Sequence, residues 1–164
     1  MLIRPVEIQD SENFLKMLNQ LDNETSNMMY EPGERKTTIE DMQINIGNIN
    51  ISESRTLIAE DNENIVGFIS AERGFANRIK HSAYIVMGIL KDYRGRGMGE
   101  KLFQEIVKWA LESNITRLEL TVMTHNEGAI HLYKKMGFKI EGLKEKSLIV
   151  NGKYVDEYYM GKIL

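Results

Sequence analysis

A chain of 164 residues with 42% hydrophobic side chains suits one domain with a full core, and no repeat, low-complexity stretch or Pro/Gly/Ser-rich linker divides it. A net charge of −3 excludes the global basic field used in nucleic-acid binding, and no apolar run reaches the ~18 residues needed to span a bilayer. The chain has no cysteine, which excludes disulfides, thiolate metal sites and a cysteine-linked intermediate; with no long apolar leader, a cytoplasmic location is the expectation.

Leu2 to Val6 predicts a short first strand. Asp10 or Ser11 caps a helix carrying Phe14, Leu15, Leu18 and Leu21 on one side. Residues 22–36 are polar and irregular, with a turn at Pro32-Gly33. Thr37 or Thr38 opens a second helix that ends near Asn48. Arg55 to Ala59 and Ile65 to Ala71 read as strands joined by the turn Asp61-Asn62-Glu63-Asn64. Ser82 to Leu90 is apolar on both faces, as expected of a central strand. Gly88 inside it marks a bulge or a close approach to the backbone. Leu102, Phe103, Ile106, Val107, Ala110 and Leu111 recur at helical spacing. Arg117 to Met123 alternates as a strand, and Glu127 to Lys135 is a short helix ending at Gly137. Phe138 to Leu143 is a further strand, and Lys146 to Val150 and Tyr154 to Met160 flank the hairpin signal Asn151-Gly152. The order predicts an α+β fold with a βαβ unit at its centre.

The most informative segment is Tyr93-Arg94-Gly95-Arg96-Gly97-Met98-Gly99, between the central strand and the long helix. A helix start leaves backbone N–H groups without intrahelical partners and carries partial positive charge, so it favours anions. Glycines let the backbone approach a phosphate closely. Gly99 is followed by Glu100-Lys101-Leu102, which lacks the Gly-Lys-Ser/Thr of a nucleoside-triphosphate loop. The even spacing of Gly95, Gly97 and Gly99 does not fit the dinucleotide motif either. What remains is Arg94-x-x-Gly97-x-Gly99, followed downstream by Asn126-x-x-Ala129-x-x-x-Tyr133-x-x-x-Gly137-Phe138.

In these two motifs the chain resembles the GCN5-related N-acetyltransferases, the GNAT family, from about Tyr84 to Phe138. The N-terminal third matches only in element order, and Lys91 stands where many members have proline. The resemblance implies one domain with a central, mostly antiparallel, twisted sheet of six to seven strands. About four helices flank it, and the fourth and fifth strands splay apart. It implies acetyl transfer from acetyl-CoA to a primary amine, by direct attack in a ternary complex and without a metal. The backbone of Arg94, Gly95, Arg96, Gly97, Met98 and Gly99 would hold the CoA pyrophosphate, and that of Met87 and Ile89 would pair with the pantetheine amides. Asn126, by itself a helix cap, would contact the cofactor. Tyr133, by itself a packed aromatic, would protonate the departing thiolate.

A carboxylate, directly or through water, must take the ammonium proton. Glu31 is the expected group, with Glu34 and Glu72 beside it as candidates; each also reads as a surface carboxylate. His81, His125 and His131 show no metal-ligand spacing. A polyamine or amino acid is the expected acceptor, with a protein N-terminus, including a ribosomal protein's, as the alternative. A non-catalytic CoA-binding module would keep the glycine turn without a productive acceptor site. The C-terminal hairpin leaves a sheet edge that a homodimer would cover.

Overall fold

The computed structural model describes residues 1–164. Leu2–Pro5 (β1), Arg55–Asp61 (β2), Asn64–Arg73 (β3) and Ser82–Ile89 (β4) pair antiparallel in chain order and make one half of the sheet. Arg117–Met123 (β5), Lys139–Val150 (β6) and Lys153–Ile163 (β7) make the other half in the order β5-β7-β6, with β6 at the edge. The halves meet at β4 and β5, which run parallel because the helix Met98–Glu112 (α3) crosses between them. Their pairing lasts only from Ser82–Arg117 to Tyr84–Glu119. Beyond it β4 stays with β3 and β5 stays with β7, so a wedge opens inside the sheet. The expected α+β fold, of six to seven strands with the fourth and fifth splayed, is observed with seven.

Helices Ser11–Glu24 (α1) and Ile39–Ile51 (α2) cover one face. α1 presents Phe14, Leu15, Met17, Leu18 and Leu21 to the core, and α2 adds Met42 and Ile46. α3 lies on the other face through Leu102, Phe103, Ile106, Trp109 and Ala110; Glu127–Lys135 (α4) follows β5. Thr38 caps α2 in a reciprocal box with Asp41. Asp10 precedes α1 without capping it. Its carboxylate instead binds the Arg4 guanidinium at 2.7 and 2.9 Å and accepts the Glu7 N–H.

One expectation is narrowed and two are corrected. First, Gly88 is not at a bulge: it pairs with Phe68 in unbroken register. A Cβ there would lie 2.3 Å from Leu21 Cδ2 and 2.9 Å from Phe68 Cε1, so the glycine lets α1 settle on β4. Gly88→Ala should therefore destabilise the fold by overpacking, by about 1–3 kcal/mol, read as a lowered urea midpoint at unchanged slope. Second, β4 is not buried on both faces. Ala83 and Ile85 are buried, whereas Tyr84 and Val86 open onto the face that α1 leaves uncovered. Third, the two short strands expected before Asn151-Gly152 are one strand, β6, with register shifts at Ile140/Gly142 and Lys144/Leu148. Lys146 takes a positive φ of 49° in the second shift, and its N–H donates to Asp156 Oδ1 at 2.7 Å.

Candidate active site

The wedge between β4 and β5 is a cavity of about 610 Å³ that runs from the glycine turn, past α4, to the segment after α1. Strand register decides what its wall offers. Gly74 N–H donates to Ser82 C=O, and Leu90 N–H donates to Val66 C=O. By alternation, the peptide groups of Tyr84, Val86 and Gly88 face β3, and those of Ile85, Met87 and Ile89 face the departed β5. Met87 thus turns N–H and C=O groups into the wedge, where a strand partner would otherwise stand. The Ile89 C=O accepts Arg94 Nε at 2.8 Å, which ties the glycine turn back to the end of β4.

The turn itself needs glycine at two places. Gly95 and Gly97 have φ of +72° and +76°, the left-handed region that L side chains resist. Gly97 is the N-cap of α3, and Lys101 N–H closes the first helical bond onto its carbonyl. The N–H groups of Met98, Gly99 and Glu100 precede that bond and have no intrahelical acceptor. A Cβ on Gly99 would meet Leu132 Cδ2 at 2.6 Å, so this glycine allows α4 to close against the start of α3. Arg94, Gly95, Gly97, Met98 and Gly99 all line the cavity. Arg96 does not; its guanidinium lies over the Tyr93 ring at 5.7 Å. Glu100 pairs with Lys135 at 2.6 Å, joining α3 to α4.

Asn126 caps α4, its Oδ1 accepting Ala129 N–H at 3.3 Å, and it lines the cavity as well. Tyr133 reaches the wall from the middle of α4. Its ring packs edge-on against Phe103, with centroids 5.7 Å apart, and against Phe138 at 6.0 Å. Burial pushes its pKa up to about 12, with the neighbouring Tyr84 adding to the shift. Tyr84 in turn bridges the opening strands, its hydroxyl 2.7 Å from Thr121 Oγ1.

The expected proton acceptor, Glu31, is exposed and does not line this cavity; its N–H donates to the Glu34 carboxylate at 2.8 Å. Glu34 and Glu72 are exposed and outside the wall too. The wall takes Thr25, Asn27, Met28 and Met29 from this segment instead. The carboxylate present at this end is Glu157 on β7, 8% exposed. In the sequence its only mark is Asp156-Glu157 interrupting the run from Tyr154 to Met160, a pair that reads as a solvated edge.

The Acetyltransferase (GNAT) family model matches residues 16–138. The chain is 33% identical over 113 residues to the L-amino acid N-acetyltransferase AaaT of Escherichia coli K12, across 66% of this chain and 68% of that protein. It is 28% identical over 156 residues to the spermidine N(1)-acetyltransferase of the same bacterium, across 93% and 80% of the two chains. The crystal structure of a GNAT-family acetyltransferase from Streptococcus pneumoniae superposes with a TM-score of 0.96 at 35% identity, covering 99% of each chain. With the wedge, the glycine turn and the Asn126–Tyr133 helix in place, the chain belongs to the GNAT family and is an acetyltransferase.

Proposed function

We propose that this acetyltransferase moves an acetyl group from acetyl-CoA to a small, cationic primary amine, by direct attack in a ternary complex. The observation that carries this reading is the wedge itself. One end has unbonded helix-start N–H groups suited to a pyrophosphate, and its length has a strand edge suited to the pantetheine amides. Tyr133 and the Met28–Met29 segment flank the far end, where thioester and amine would meet. The peptide N–H groups of β4 that face the wedge would stabilise the tetrahedral oxyanion. No cysteine is available to carry the acetyl group, which favours direct transfer over a cysteine-bound intermediate. The matches to an amino-acid and a spermidine acetyltransferase support an amino acid or polyamine as acceptor.

The test is a panel of polyamines, amino acids, aminoglycosides and peptides incubated with acetyl-CoA, with release of free thiol as the signal. Turnover is expected with a polyamine or amino acid; silence across the panel would overturn the reading. Gly97→Val examines the donor side. Nothing lies within 4 Å of a Cβ at Gly97, but its φ of +76° is hostile to an L residue. That strain is of order 1–2 kcal/mol, so acetyl-CoA should bind about tenfold more weakly by calorimetry. Unchanged affinity would place the pyrophosphate elsewhere.

A further inference from the structure

We infer that Glu157 receives the acceptor ammonium and takes its proton; this rests on the acetyl-transfer reading above. Glu157 stands opposite Met123 in the β5–β7 ladder, and Thr121 is two residues further along the same face of β5. The Tyr84 hydroxyl, bonded to Thr121 Oγ1, marks that face as the side of the wedge away from α3. The cavity therefore has a buried carboxylate on the side that the thioester's attacker must approach.

A buried carboxylate is costly unless it is compensated. Glu157 is only partly so. The Ser147 hydroxyl donates to Oε2, and Lys144 Nζ stands 4.0 Å from the same oxygen with its side chain 45% exposed. Oε1 has no bond within the protein. The β6 bulge that brings Ser147 over Glu157 thus fixes one oxygen and leaves the other for an incoming cation. Of the other charged groups on the wall, Glu100 and Lys135 are paired with each other at the glycine-turn end, Arg94 in that turn donates to the Ile89 C=O, and His131 lies on α4. Lys144 is the cation beside Glu157, and it stands nearest Oε2, the oxygen that Ser147 already bonds.

The step balances as follows. The ammonium gives one proton to the Glu157 carboxylate, and the neutral amine nitrogen bonds to the thioester carbonyl carbon. The carbon–sulfur bond then breaks, its electron pair leaving on sulfur, and the nitrogen's second proton passes through solvent to the thiolate. The products are the amide and a thiol, with one proton passing from Glu157 to solvent.

Glu157→Gln keeps the side-chain shape and removes the charge. It should bind acetyl-CoA with unchanged affinity, while kcat/KM for the amine at neutral pH falls about thirtyfold, the scale of a hydrogen bond to a charged group. The deficit should shrink as the pH approaches the pKa of the amine itself, and Glu157→Asp should recover part of it. Ser147→Ala, a milder change, removes the bond that holds Oε2 and should raise KM for the amine while leaving acetyl-CoA affinity unchanged. A Glu157→Gln enzyme matching wild type within twofold would overturn this inference alone. So would an equal deficit at every pH with weakened acetyl-CoA binding, or an amine KM that Ser147→Ala leaves in place. A wild-type enzyme silent on every amine would overturn the acetyl-transfer reading and this one with it.

Discussion

Tyr133→Phe should lower kcat about a hundredfold while leaving acetyl-CoA affinity within a factor of about two. Phenylalanine keeps the ring that packs against Phe103 and Phe138, so the fold should stand. What is lost is one hydroxyl at the end of the wedge. Its pKa, pushed up to about 12, limits its role. An ordinary thiol has a pKa of about 8.5, so full proton transfer from this phenol to a thiolate runs uphill. The same shift keeps the phenol protonated through the neutral range, ready to donate a hydrogen bond as charge develops on sulfur. That refines the role implied by family resemblance: as proposed here, the phenol would stabilise the leaving thiolate, and solvent would supply the thiol proton. The magnitude is that of removing one donor from a developing anion in a dry site. The sign of the pH dependence follows. Raised above its ordinary value, Tyr133 contributes no basic limb to the kcat profile until pH nears about 12. Thiol release measured against pH, wild type beside variant, checks both points. A kcat within threefold of wild type would mean that the hydroxyl does not face the sulfur.

Local signals made much of this molecule legible in its sequence. The helix Glu127–Lys135 was readable at both ends because Asn126 caps it and Gly137, with φ of +90°, ends it. The glycine turn was readable because its positive-φ positions require glycine and its spacing excluded two other phosphate loops. The opening between β4 and β5 has no pattern of its own. It depends on which strands stay paired, and it entered through family resemblance. Gly88 was ambiguous for a similar reason: a strand glycine relieves either a bulge or a close neighbour, and the neighbour, Leu21, lies on a different element. Glu157 was hidden because Asp156 precedes it, and two adjacent carboxylates read as a solvated edge. Its burial depends on Ser147, brought over by a bulge at a lysine with positive φ that no residue type announces. Glu31 follows from its place in the polar segment between α1 and α2, where family resemblance puts part of the acceptor site. Which part of that segment reaches the cavity depends on a long-range ion pair.

That pair, Asp22 with Arg35, supports the second large effect. Asp22 on α1 is 2% exposed and accepts Arg35 Nε and Nη2 at 2.7 and 3.0 Å. The guanidinium also lies over the Tyr30 ring at 4.4 Å. The pair ties the loop between α1 and α2 back to α1, and Met28 and Met29 of that loop line the cavity. Its two halves are not equivalent. Removing Arg35 strands a short carboxylate on a packed helix face, whereas removing the charge of Asp22 leaves a long guanidinium on a loop that can swing into water. Arg35→Met should therefore cost about 3–5 kcal/mol, the range for an uncompensated buried charge. That lowers Tm by about 10 °C for a chain of this length. Asp22→Asn should cost distinctly less, and the double variant should recover most of the Arg35→Met loss, because no charge is then left stranded. Thermal melts of the four proteins at neutral pH test the asymmetry. Equal losses from the two single changes, or simple additivity in the double variant, would show that the pair is screened by water and does not anchor the loop. If it does anchor the loop, Arg35→Met should also raise KM for the amine while leaving acetyl-CoA affinity unchanged, since the glycine turn is fastened separately through Glu24 and the Lys91 N–H at 2.7 Å.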